Sequence, residues 1–334
     1  MGFLDAVKQA YNGFIQWIRH WLYPPPNTQP VGGKPDPIHR KVSVIVFNPT
    51  IPSQGGHSLR QVMNGNQPDD LIKDYIADLM EVSRGYITYD VVEQVEVDRF
   101  PVKEDGFTYT PQGYLACYQT GGGYHQPDAV DYDSILRDFD IVSKVNRGSI
   151  DEVWLFGFSY TGFYESRMLG SGAFFCNAPE LYPSQFCSRR FVVMGFNWER
   201  GVGEMHESFC HRAESIMRQV FRRKNGDANL FQVFTRYDKT SPGQAQVGTA
   251  HYAPNSDKDY DWGNSRKVAC RAYAWLDFPD LSGDPEMVDS SEWGRGDIRL
   301  HHRWWMEHLP HITGSANGAA YNWWQYIVDP NTVD

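Results

Sequence analysis

Between residues 3 and 22, apolar side chains recur at alternating steps of three and four: Leu4, Val7, Tyr11, Phe14, Ile18 and Trp21. Asp5, Lys8, Gln9, Asn12, Gln16 and Arg19 fill the positions between them. That spacing puts one apolar stripe along a helix and predicts an amphipathic helix over residues 1–22. The next segment, 23–37, contains Pro24, Pro25, Pro26, Pro30, Pro35, Pro37, Gly32 and Gly33. Proline lacks an amide donor and fixes φ, so this segment reads as a stiff linker. A single domain is expected over residues 38–334.

In that domain the pattern changes. Lys41–Phe47, Tyr86–Val97, Glu152–Phe156 and Arg190–Phe196 are short runs rich in β-branched and aromatic residues, and they predict strands. Leu230–Thr235 is expected as a fifth. Helical periodicity appears over Asp69–Met80, Tyr132–Val145 and, at greatest length, Gly203–Arg223. Strands alternating with helices imply crossover connections. The expected fold class is α/β, a mostly parallel sheet with helices on both faces. From Asp238 onward the chain is loop-rich and dense in Trp, Tyr, His and Asp, which predicts an aromatic C-terminal layer. Helices are expected within it at about 264–276 and 298–308.

Composition narrows the function. Aromatics make up 15% of the 334 residues, with 11 Trp. They serve either a thick core or flat platforms for sugars or peptides. A formal net charge of −10 excludes nucleic-acid binding through a broad basic surface. The five cysteines include no C-x-x-C pair, which fits reduced thiols in a cytoplasmic protein, although Cys176 and Cys187 could pair after export. No secretory signal peptide and no apolar run of transmembrane length is visible.

In open parallel sheets, ligands bind beyond the carboxyl ends of the strands. Ser159, Tyr160 and Glu165 follow one predicted strand, and Asn197, Glu199 and Arg200 follow another. The long helix then reads G-E-M-H-E-S-F-C-H-R-A-E-S-I-M. At 100° per residue, Glu207, His211 and Glu214 fall in one narrow sector, with Glu204 close by. One imidazole and two carboxylates suit a divalent ion, zinc foremost, with manganese or iron as alternatives. This is not H-E-x-x-H, because His206 and His211 are five apart. His302 is the candidate further ligand from the C-terminal layer, where His301 and His308 share a helical face. His251 is a loop candidate. Glu199 or Glu165 would act as general base. The reading is a metal-dependent hydrolase of a peptide or glycan. Its bland competitor is a solvated stripe of i,i+4 pairs, opposite an apolar face of Met205, Phe209, Ala213, Ile216 and Val220.

Two further readings stay open. Gly157-Phe158-Ser159-Tyr160-Thr161-Gly162 is a nucleophile-elbow-like segment for a serine hydrolase, with Asp238 and His251 following in triad order. Thr161, however, stands where the elbow wants glycine. A non-catalytic binding or structural module is the other. Gly121-Gly122-Gly123 lacks the context of a phosphate cradle, and no dinucleotide fingerprint follows the first strand.

The stretches V-W-L-F-G-F-S-Y-T-G-F-Y-E-S, C-S-R-R-F-V-V-M-G-F-N-W-E-R-G-V-G-E-M, H-Y-A-P-N-S-D-K-D-Y-D-W-G-N and H-H-R-W-W-M-E-H-L-P-H together resemble an uncharacterised bacterial α/β protein family over about residues 40–330. That resemblance implies one domain and brings no activity or site residues. Separately, the N-terminal helix and linker are similar to tags that recruit enzymes into larger bacterial assemblies. This implies a protein partner for residues 1–22, and packaging in or binding to such an assembly.

Overall fold

A computed structural model describes residues 32–334; the helix expected over 1–22 and most of the linker lie outside the described residues. The sheet consists of β1 (Ile38–Phe47), β2 (Ile87–Val97), β3 (Glu152–Gly157), β4 (Ser166–Leu169) and β5 (Phe191–Asn197), in the spatial order β2-β1-β3-β5-β4. β1 pairs in parallel with β2 and β3, and β3 with β5. β4, which the sequence reading did not separate from its loop, runs antiparallel along β5. Every residue of β3 is buried. A strand covered on both faces carries an unbroken apolar run instead of an alternation, as Val153–Phe156 does.

The principal helices are α1 (Pro68–Val82), α2 (Pro111–Thr120), α3 (Tyr132–Asp138), α4 (Ile141–Asn146), α5 (Val202–Val220), α6 (Ile298–Glu307) and α7 (Trp323–Val328). α1 opens with Pro68 and carries Asp69 and Asp70 in its first turn, where the helix dipole favours them. Gly121, at φ +66°, ends α2 in the left-handed conformation that glycine adopts without penalty, so the triple glycine serves as a helix stop. The helix expected over 132–145 is two helices, broken at Asp140 with φ +51°.

Two expected elements take another form. Leu230–Phe234 is a short helix, not a strand, capped by the Asn229 side chain accepting the Gln232 amide at 3.0 Å. A brief apolar run reads equally well in either period, and here Phe231 and Phe234 pack on Trp323 instead of a sheet edge. The helix expected over 264–276 is a strand, Val268–Cys270, paired with Glu286–Val288, followed by a 3₁₀ segment at Ala272–Asp277.

α5 is the pivot of the molecule. One side meets the sheet: Arg212, fully buried, places Nη1 2.6 Å from Glu152 of β3 and donates through Nε to the Ile327 carbonyl. Another side meets α6, where a Cβ on Gly203 would lie 2.4 Å from Ile298 Cγ2. Only glycine permits that approach. Asp78 of α1 accepts from Arg299 at 2.7 Å and Arg303 at 3.1 Å, tying α6 to α1. Trp275, Trp305 and Trp323 are fully buried, so much of the aromatic content supplies core. Among the described residues, no helix is long and apolar enough to cross a membrane.

Candidate metal centre

α5 starts just beyond the carboxyl end of β5, and its first turn is closed by Glu204, whose carboxylate accepts the Gly201 amide at 3.0 Å. One turn on stand Glu207 and His211, and a loop from the C-terminal layer lays His251 against them. His211 Nε2 lies 2.9 Å from His251 Nε2. Glu207 Oε1 lies 3.2 Å from His251 Nε2 and 3.9 Å from His211 Nε2. Donor atoms ~2.1 Å from a tetrahedral ion stand ~3.4 Å from one another, and these three separations bracket that value. The donor set, two imidazoles and a carboxylate, is one that zinc and iron accept.

Each imidazole has a carboxylate behind it. His211 Nδ1 faces Glu214 Oε2 at 3.4 Å, and His251 Nδ1 faces Asp259 Oδ1 at 3.0 Å. A carboxylate on Nδ1 holds the proton there and turns the Nε2 lone pair to the centre, the usual support for ligating histidines. Glu214 is itself fixed by the Ala250 amide at 3.1 Å.

Electrostatics favour a cation at this point. Burial alone would raise the Glu207 pKa, but the adjacent His211 and His251 imidazoles outweigh it and hold the carboxyl well below the usual carboxylate range. Burial would lower the His211 pKa, yet Glu207 and Glu214 together lift it to about 10. The field that keeps a proton on His211 equally favours a metal ion in its place.

The predicted residues are distributed as follows. Glu207 and His211 come together, joined by His251. Glu207 is only 7% exposed, so the stripe is covered by the loop carrying His251 and is not solvated. Glu214 supports His211 from outside the donor triad. His302 points both ring nitrogens at backbone carbonyls, Ile298 at 2.8 Å and Ala250 at 3.2 Å, and burial pushes its pKa down to about 4. It braces the His251 loop and does not converge on the centre. Glu165 lines a cleft of about 180 Å³ together with Phe163, Asn197, Arg200, Glu204 and Glu207, and accepts from Asn177 at 2.6 Å. Glu199 turns to Ser159 instead, accepting from its amide and, at 2.8 Å, from its hydroxyl.

The triad suggested by chain order is not assembled. Among the described residues Ser159 meets a carboxylate and no imidazole, Asp238 pairs with Arg266 at 2.6 Å, and β3 leads through a loop into β4 instead of a helix. Sequence reasoning missed Tyr260 altogether. Its ring centroid is 4.3 Å from that of His251, and its hydroxyl lies close enough to the Glu207 carboxylate to interact with its charge. No periodicity marks a loop residue of this kind.

Comparison with protein-family models, with curated proteins and with solved structures finds no match. The functional reading therefore rests on the geometry of this site.

Proposed function

We propose that this chain is a hydrolase using one divalent metal ion, zinc foremost, held by Glu207, His211 and His251, and that it acts on a peptide or glycan. The convergence of three donor atoms within 4.8 Å, beside a cleft at the carboxyl end of the sheet, carries this reading. Three protein donors leave a coordination position open, the pattern of catalytic sites in contrast to closed structural ones. An ion there would acidify a water molecule to a pKa of ~7. Glu165, in the same cleft, supplies a carboxylate to take the proton. Glu214 and Asp259 keep the imidazoles oriented, and the buried Glu207 anchors the charge. The test is elemental analysis of untagged protein purified without chelator. Near-stoichiometric metal that is lost in His211→Ala supports the proposal. Metal far below one ion per chain, unchanged by the substitution, overturns it and leaves a binding module as the better reading.

A further inference from the structure

Tyr260 is half exposed, at 52%, yet it is not a free surface residue. Its backbone sits at φ +56°, a left-handed conformation that a bulky residue rarely adopts. The surrounding loop enforces that conformation. The Tyr260 amide donates to the His251 carbonyl at 3.2 Å. Asp261 accepts from the Asp257 amide at 3.0 Å and from Asn264 at 2.9 Å. The ring is thereby held on His251 with its hydroxyl at Glu207. Backbone strain maintained by its surroundings is characteristic of functional positions.

Resting on the metal reading above, we propose that the bond cleaved is an acyl one, an amide or ester, and that Tyr260 is a catalytic residue donating a hydrogen bond to the carbonyl oxygen as it becomes negative. The argument is one of charge. Acyl hydrolysis passes through a tetrahedral state with negative charge on oxygen, which a cation and an aimed donor stabilise. Glycoside hydrolysis builds positive charge on the sugar ring and uses two carboxyl groups flanking the bond. A divalent ion and a phenol oppose that charge. In the cleft, moreover, Glu204 is turned back to cap its own helix and Glu207 is given to the metal, which leaves Glu165 without a carboxylate companion for the reaction.

The step balances without redox chemistry. The oxygen of water bonds to the carbonyl carbon, the π pair moves to the oxygen facing Tyr260, and the water proton passes to Glu165. Collapse restores the carbonyl, breaks the C–N or C–O bond, and returns the proton from Glu165 to the leaving amine or alkoxide.

The experiment uses the full chain and its Tyr260→Phe variant, both incubated with zinc and assayed for zinc content. They are given amino-acid p-nitroanilides, p-nitrophenyl esters and p-nitrophenyl glycosides. The affinity for phenylphosphonate, a tetrahedral anion, is measured alongside. The expected results are release from anilides or esters but not glycosides, and a kcat lowered about a hundredfold in Tyr260→Phe with KM and zinc content unchanged. Phenylphosphonate should bind the variant at least about tenfold more weakly. Zinc bound equally by both chains, with equal phosphonate affinity or with glycoside release, overturns the acyl assignment alone. A wild-type chain that takes up no zinc overturns the metal reading beneath it.

Discussion

The contact between Arg212 and Glu152 fixes how α5 lies on the sheet, and its removal has a calculable cost. Arg212 is fully buried, Glu152 nearly so, and their charged atoms are 2.6 Å apart. Glu152 also accepts from the indole of Trp154 at 2.8 Å. Glu152→Ala would leave a guanidinium in the core with the Ile327 carbonyl as its remaining strong acceptor. Stranding one member of a buried pair costs about 3–5 kcal/mol, a large fraction of the stability of a typical domain. Replacing both members removes the stranded charge, so Glu152→Ala combined with Arg212→Met should recover a substantial part of the loss. Urea denaturation of the wild type, the two single variants and the double variant, read as shifts in the midpoint at constant slope, measures both quantities. A loss below about 1 kcal/mol in Glu152→Ala, or a double variant no better than the single, would refute the reasoning. Because His211 is the neighbour of Arg212, Glu152→Ala should weaken metal binding as well, through displacement of α5.

Asp259→Asn keeps the shape behind His251 but removes the charge, and should weaken zinc binding by about 10–100-fold in a competition titration. Zinc affinity should also climb with pH: His211, lifted to about 10 in the metal-free chain, must lose its proton to bind, so the apparent constant rises up to about tenfold per pH unit below that value. The same proton stabilises the metal-free fold. With the folded value raised from 6.5 to about 10, its contribution is complete below pH 6.5 and disappears as pH rises to 10, so the metal-free chain should melt lower across that window while the zinc-loaded chain does not. Deleting residues 1–30 should leave the melting temperature nearly unchanged and abolish co-purification with a larger assembly. A melting point many degrees lower would assign that segment to the core.

The readable part of the site was the part lying on one helix. Glu207 and His211 are four residues apart, so the α-helical period alone puts them on one side. The same period places Glu214 beside them, but it cannot tell a carboxylate facing the centre from one facing the far ring nitrogen of His211. Tyr260 was not readable, and His251, though a loop candidate, could not be placed beside them, because loop geometry sets both positions: a turn at Gly248, φ +86°, and the hydrogen bond from the Tyr260 amide to His251. His302 misled for a related reason. Its spacing puts it on the inward side of α6, and only the fold shows that backbone carbonyls occupy both nitrogens. The parallel sheet was legible from the unbroken apolar run of β3, whereas Leu230–Phe234 was ambiguous because five residues carry too little periodicity.

Whether a metal ion sits between these three side chains is the central question, and anomalous scattering at the zinc edge from crystals grown with zinc answers it most directly. The account predicts one strong peak within coordination distance of Glu207 Oε1, His211 Nε2 and His251 Nε2, absent in His251→Ala. Density without a peak there, or zinc confined to surface pairs such as His39 with Asp90, would contradict it.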